Sequence, residues 1–348
     1  MRIEERFREV VRQYPSRVAV RYGNAEMTYA ELDRESDTLA TSPMNSIVPN
    51  PLWAINAMAG WKAQIPVWLE GRAAPVVKQI SPDVAYLEST SGTTGAGKTV
   101  MISHAAAIAQ ADTDISDLGI GPQTRTGSHR WGMAAWRQML LTLLGGGTLC
   151  VFPGPKNVSL RMWVNEQGIT YLPTLATTYR WLVAGIFTFP TVKVVDVGGE
   201  MVRWGDVELY KLCFPNGSFI NRFTATEAQV ICRKRVEHDD PIGEGRMPVG
   251  RPVRGVKIWA GPSESEPEEI RVYSPYMAEG YYNDRELTAA KFRNGQYHTG
   301  DLGYWLPNGE LMHCGRKDFA GEVREKFDAE RYMHERNMVS AMMGGEVK

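Results

Sequence analysis

Between residues 80 and 230, short apolar runs alternate with stretches of helical spacing. VAYLEST, TVMI, GGGTLCVF, ITYLP and TVKVVDVGG read as strands, and HAAAIAQAD, MAAWRQMLLTLL and TLATTYRWLV read as helices. That alternation is satisfied by sheets whose faces are covered by helices, so the predicted fold class is α/β: layered sheets flanked by helices. After TVMI, Ser103 is the expected N-cap of the helix that follows. From Pro248 onward the texture changes to short strands separated by turn residues, as in VGRPVRGVKIWAG, EEIRVYSP and YHTGDLGYWLPNGELMHCGRKD. This predicts a small β-rich subdomain. The expected organisation is residues 1–240 as the α/β part, 241–318 as the β-rich subdomain and 319–348 as a helical tail.

Composition bears on what this fold can carry. The 348 residues are 43% apolar and 23% charged, which supports a packed core and argues against global disorder. A net charge of -1 argues against a general nucleic-acid-binding surface. Cys150, Cys213, Cys232 and Cys314 are scattered without a C-x-x-C spacing and read as reduced thiols. The N-terminus MRIEERFREVVRQYP is charged and amphipathic, with no apolar signal core, and no apolar run approaches the ~18 residues of a membrane span. The expectation is a cytoplasmic protein with neither membrane nor nucleic-acid partners.

The residues that speak to chemistry begin at GTTGAGKT, residues 92–99. The run satisfies G-x-x-x-x-G-K-[ST], the phosphate loop of P-loop NTPases, and VVDVGGE further on resembles their D-x-x-G element. A Walker loop, however, runs directly into a helix whose N-terminus holds phosphate. Here Val100-Met101-Ile102 follows, an apolar run of β character, and the strand before the loop ends in Glu88-Ser89-Thr90-Ser91. No N/T-K-x-D guanine reader follows either.

With its neighbours, STSGTTGAGKTVMISHAAAIAQ resembles the Ser/Thr/Gly phosphate loop of the adenylate-forming superfamily: acyl- and aryl-CoA synthetases, nonribosomal peptide synthetase adenylation domains and luciferases. Gly97-Lys98-Thr99 stands where that family has Pro-Lys-Gly, and this swap creates the Walker look-alike. PSRVAVRYGNAEMTYAELDRESDTLA, SHRWGM, ITYLPTLATTYRWLV, DVGGE, NRFTATE, MAEGYYNDRELTAAKF and YHTGDLGYWLPNGELMHCGRKD match further family segments in order, over roughly residues 5 to 318.

The resemblance implies the fold of the large N-terminal domain of adenylate-forming enzymes, with acyl- and ATP-binding subdomains in residues 1–240 and a ribose-binding turn in the β-rich part. It implies an acid–AMP ligase using ATP and Mg²⁺, which joins a small carboxylic acid to AMP and releases pyrophosphate. Residue by residue, Ser91, Gly92, Thr93, Thr94, Gly95, Gly97 and Lys98 would cradle the β- and γ-phosphates. Thr226 would bond the α-phosphate, and Glu227 would hold Mg²⁺. Gly198, Gly199, Glu200, Asn221 and Phe223 would border the adenine, Asp301 would accept the ribose hydroxyls and Arg316 would contact the nucleotide. His129, Arg130, Trp131, Val197, Arg222, Val230 and Ile231 would line the acid pocket. Two arginines there are expensive to bury without anions: either the acid carries a second negative or strongly polar group, or both arginines turn to solvent or pair with local carboxylates.

Two departures from the family pattern stand out. The stretch between Leu39 and Tyr86 is short, and 30 residues follow Asp318, the hinge position, where the family has a further domain with a catalytic lysine. CoA ligation by this chain alone is therefore not expected. The leading reading is an adenylating enzyme whose acyl-adenylate passes to a partner's amine or thiol, such as a carrier protein. The alternatives are a family member that has lost catalysis and serves as a nucleotide-binding subunit, and the P-loop NTPase.

Overall fold

A computed structural model describes residues 1–40, 53–68, 80–90, 98–129, 133–154 and 159–317. The phosphate loop before Lys98 (Ser91, Gly92, Thr93, Thr94, Gly95, Gly97), Arg130, Trp131, Asp318 and the expected helical tail lie outside them.

The chain opens with α1 (Ile3–Gln13), the hairpin β1 (Val18–Tyr22) and β2 (Ala25–Thr28), then α2 (Tyr29–Ala40), α3 (Trp53–Lys62) and β3 (Val67–Trp68). Next come β4 (Val84–Thr90), β5 (Lys98–Ser103), α4 (His104–Leu118), β6 (Arg125–Ser128), α5 (Met133–Leu144), β7 (Thr148–Val151) and α6 (Leu160–Glu166). The middle continues with β8 (Tyr171–Thr174), α7 (Ala176–Val183), β9 (Val194–Gly198), α8 (Trp204–Cys213), β10 (Ser218–Ala225) and β11 (Gln229–Val236). The described residues end with β12 (Arg251–Pro252), β13 (Lys257–Trp259), β14 (Glu268–Tyr273), β15 (Gly280–Tyr281), α9 (Arg285–Lys291), β16 (Phe292–Arg293), β17 (Gln296–Trp305) and β18 (Leu311–Arg316).

These strands form three sheets. The largest has the order β12-β11-β10-β9-β8-β6-β7-β1-β2. Its centre, from β10 to β1, is parallel, while β2 pairs antiparallel with β1, β11 with β10 and β12 with β11. The second sheet is β15-β5-β4-β3, and the third is β13-β14-β17-β16 with β18 on β17. The segment after residue 240 thus sends β12 into the first sheet and β15 into the second, and builds the third from the remainder.

Helix α5 explains the layering. Ala135, Trp136, Met139, Leu140, Leu141, Leu143 and Leu144 are all buried, and so are the polar Arg137, Gln138 and Thr142, as in a helix packed on several sides. It shares one core with α4 (Ala106, Ala107, Ala111), with Tyr86, Val100 and Ile102 of the second sheet and with Leu149 and Val151 of the first. Tyr86 stacks on Trp136 at 5.1 Å between centroids. A second core, with Tyr179, Tyr210, Phe214 and Phe219, packs α6, α7 and α8 with the first sheet.

The connection after the glycine loop decides between the two phosphate-loop readings. Lys98 and Thr99 open strand β5, antiparallel to β4, and the helix begins only at His104. Ser103 caps it, accepting the Ala106 N–H at 3.3 Å, and Gly119 ends it at φ 66°, where glycine avoids the Cβ penalty of the left-handed region. A loop that leads into a strand offers no helix N-terminus to phosphate, so the Walker reading is discarded. All four cysteines are free, and Cys150, Cys213 and Cys232 are buried. Among the described residues, no helix is long and apolar enough to cross a membrane.

Candidate functional site

The chain passes from β6 to β7 on one side, then returns to β8 on the other side of β6. In an open α/β sheet such a reversal leaves a crevice beyond the carboxyl ends of the two strands. His129 follows β6 there, and its Nε2 lies 3.4 Å from the Oγ1 of Thr174, the last residue of β8. The parallel neighbours bring their ends to the same edge. Gly198 closes β9, and the Thr226–Glu227 turn follows β10.

The glycines at the end of β9 are required sterically. A Cβ on Gly198 would lie 2.8 Å from the Arg222 carbonyl oxygen. Gly199 has φ 80°, and a Cβ there would lie 2.9 Å from Leu175 Cδ2. Two polar residues expected beside the adenine are committed to the protein itself. A Glu200 carboxylate oxygen accepts the Thr177 N–H at 2.8 Å and its hydroxyl at 2.6 Å, which neutralises the N-terminus of α7. The Asn221 side-chain amide is buried and donates to the Pro248 carbonyl at 2.9 Å. Val197, Val230 and Ile231, expected as pocket walls, have no exposed surface. Val197 belongs to the core around Tyr179, and the other two belong to the core beneath the third sheet.

Arg222 departs most from expectation. It is 9% exposed, and its guanidinium pairs with Asp196 on the neighbouring strand. Asp196 also receives Arg137 at 3.2 Å and the Tyr171 hydroxyl at 2.5 Å. Arg137 continues to Asp114 at 2.6 Å, and Asp114 pairs with Arg233, which reaches Asp117 at 3.0 Å. Burial alone would raise the Asp196 carboxyl, but Arg222, Arg137 and the Tyr171 hydroxyl outweigh it and hold it below its ordinary value. Three arginines thus meet three aspartates inside the protein. The charge of Arg222 is answered there, so it gives no ground for a second anion on the acid. The same pairing explains the D-x-x-G resemblance: Asp196 is a buried ion-pair partner. A charge inside the apolar run VVDVG must have such a partner, and that was the available sequence signal.

Glu227 is built differently. It is 9% exposed, and its Oε1 accepts the Tyr281 hydroxyl at 2.7 Å. Among the described residues no cation pairs with it. The backbone fixes the contact: the Ala278 N–H donates to the Glu227 carbonyl at 2.9 Å, and β15 pairs with β5 through Tyr281 and Val100. Lys98 Nζ lies over the Tyr281 ring, 5.9 Å from its centroid. Burial first, and then the Glu227 charge, push the Tyr281 and Tyr297 hydroxyls far above the ordinary phenol value, so both remain protonated donors. Thr226 sits in the turn between β10 and β11, where the Gln229 side-chain amide donates to its carbonyl at 2.9 Å.

The third sheet adds the remaining residues. Asp301 on β17 and Arg316 on β18 are direct cross-strand partners, 3.6 Å apart at Oδ1 and Nη1. Arg316 also donates to the Thr299 carbonyl at 2.9 Å. His313, which the sequence reading passed over, lies 3.7 Å from Asp301 and 5.0 Å from the Phe223 ring centroid. It links the ring on β10 to the carboxylate on β17. Its signal was a histidine three residues before Arg316 on one short strand. Tyr281 was also passed over; it lies within a quoted motif but carries no charge to attract notice. Elements of all three sheets therefore converge around Glu227 and Phe223.

No cluster of three or more His, Cys, Asp or Glu side chains that could hold a metal occurs among the described residues. A single carboxylate fits Mg²⁺, which commonly takes one or two carboxylates and completes its shell with water and phosphate oxygens.

The architecture is an α/β domain with a crevice at the strand-order reversal, a lysine at the start of β5 and a third, β-rich sheet. A family model described as AMP-binding enzyme matches residues 49–282, and the chain belongs to that family. It is 30% identical over 258 residues to phenyloxazoline synthase MbtB of Mycobacterium sp. (strain MCS), covering 69% of this chain and 22% of that protein. It is 28% identical over 262 residues to tyrocidine synthase 2 of Brevibacillus parabrevis, covering 70% and 7%. The chain thus spans less than a quarter of either relative. Among solved structures, the nonribosomal peptide synthetase FmoA3 superposes with a TM-score of 0.78 at 19% identity, covering 91% of this chain and 43% of that one. The N-terminal subdomain of Klebsiella oxytoca NpsA, in complex with 3-hydroxybenzoyl-AMSN, gives 0.73 at 19%, covering 90% and 100%. These likenesses show that the fold is that of the N-terminal domain of adenylate-forming enzymes.

Proposed function

We propose that the chain activates a small carboxylic acid with ATP. A carboxylate oxygen forms a bond to the α-phosphorus, the bond from that phosphorus to the β-phosphate bridging oxygen breaks, and pyrophosphate leaves. The observation that carries this reading is the placement of Glu227, a buried carboxylate without a protein cation among the described residues, at the edge where all three sheets meet. Such a group suits a cation that arrives with phosphate. Mg²⁺ bound there would neutralise phosphate charge. The protein's share is positioning and electrostatics.

In this reading Lys98, with Ser91, Gly92, Thr93, Thr94, Gly95 and Gly97, holds the β- and γ-phosphates, and Thr226 meets the α-phosphate. Asp301 takes the ribose hydroxyls, Arg316 and His313 flank it, and Phe223 lies against the base beside Gly198 and Gly199. His129, Arg130 and Trp131 face the acid, while Val197, Val230, Ile231 and the Asp196-bound Arg222 stand behind it.

Delivery to a carrier protein's thiol is supported by the similarity to nonribosomal peptide synthetases and by a structural neighbour described as an artificially fused adenylation–PCP di-domain. A panel of carboxylic acids incubated with ATP, Mg²⁺ and the protein, read by mass spectrometry, tests the proposal. One class of acid is expected to give its acyl-adenylate together with pyrophosphate. Formation of ADP and phosphate regardless of acid would overturn it.

A further inference from the structure

We infer that a groove at the amino-terminal edge of β1, β6 and β7 is a binding site for a phosphate dianion, separate from the crevice at the other edge of the sheet. The groove has a volume of about 210 Å³, and its lining includes Arg17, Arg21, Arg125 and Thr148 but no carboxylate. Arg125 opens β6, Thr148 opens β7 and Arg17 immediately precedes β1. These strands are parallel, so the three positions share one edge. His129 stands at the opposite edge, roughly 13 Å away along β6 at about 3.3 Å per residue.

The three arginines are half-buried. Elsewhere in the molecule Arg137, Arg222 and Arg233 are answered by aspartates. Here Arg21 pairs with Glu26, its cross-strand neighbour on β2. Arg17 donates to the Pro122 carbonyl, and Arg125 donates to the Gln167 carbonyl at 3.0 Å. Among the described residues neither of these two meets a carboxylate. A carbonyl fixes the direction of a guanidinium without cancelling its charge, and each contact uses one of its five N–H donors. Taking such charges out of water without a counter-ion is costly, and an anion in the groove offsets that cost. Two unanswered guanidiniums match a group with two charges. A phosphate ester carries close to two at neutral pH and offers three oxygens to the forked donors of arginine. Free phosphate and a phosphate monoester present this same chemistry.

Calorimetric titration with inorganic phosphate and, in a second arm, with glycerol 3-phosphate tests the inference at pH 8, with sodium chloride holding the ionic strength constant. Saturable binding is expected, and the tighter arm identifies the free ion or the ester as the source. Replacing both arginines, Arg17→Gln with Arg125→Gln, should weaken binding by about tenfold or more. Lys98→Ala, in the crevice, should leave it within about twofold. If the double variant melts early, the single variants Arg17→Lys and Arg125→Lys decide. Each keeps the charge, loses the fork and should lose about threefold in affinity. Wild-type affinity in the arginine variants, loss of binding in Lys98→Ala, or no saturable binding in either arm would overturn the inference.

Discussion

Asp196 and Glu227 lie one strand apart, and both are at least nine-tenths buried. Asp196 is met by Arg137, Arg222 and the Tyr171 hydroxyl, whereas Glu227 is met by the Tyr281 phenol and, among the described residues, by no cation. Burying a carboxylate without a counter-charge is expensive. The chain removes that cost within itself at Asp196 and leaves it standing at Glu227. The first arrangement clamps α4 and α5 to the sheet. In the proposed function, the second keeps a negative charge for a cation that arrives with the nucleotide. The proposed function thus separates structural charge from working charge in a region where the sequence reading set Arg222 and Glu227 together as site residues.

The largest expected effect lies on the structural side. Asp196→Ala leaves two guanidiniums buried without their shared partner, and unfolding in urea should show a loss of about 3–5 kcal/mol. The acid limb follows the same logic. The folded carboxyl titrates below its ordinary value, so its contribution is present above that value and disappears as pH falls through the lower, folded one. Glu227→Gln should behave in the opposite way. The amide oxygen still accepts from Tyr281, so stability should move by less than about 1 kcal/mol, while adenylate formation should fall by about 100-fold or more. If Glu227→Gln unfolds the protein and Asp196→Ala does not, the contrast is broken.

A smaller effect is expected at the third sheet. Asp301→Ala should weaken ATP by about tenfold in calorimetry, the scale of one hydrogen bond to a charged group. The smallest belongs to Glu200. Removing the negative charge from its contact with the first turn of α7 by Glu200→Gln should cost about 1 kcal/mol or less in a thermal melt, with ATP affinity unchanged. A marked loss of ATP affinity would return Glu200 to the adenine site.

What was legible in the sequence was what depends on near neighbours. The strand–helix alternation, the strand after the glycine loop and the Ser103 cap all follow from periodicity or from bonds spanning three residues. The contacts that were missed span longer separations: 23 residues from Thr177 to Glu200, 54 from Glu227 to Tyr281 and 59 from Arg137 to Asp196. No local pattern records which distant side chain answers a charge. The two-residue strands β12 and β15 were equally silent, since two residues show no alternation, although β15 brings Tyr281 to Glu227. The site's polar residues were legible as a set, but which of them the protein uses for itself was visible only in three dimensions.

Acid-dependent exchange of labelled pyrophosphate into ATP tests the central claim most directly, because it reads reversal of the bond-breaking step at the α-phosphorus. The account predicts exchange with at least one class of carboxylic acid, no exchange without acid, and its loss in Glu227→Gln. Release of γ-phosphate that ignores the acid, with no exchange across the panel, would contradict it.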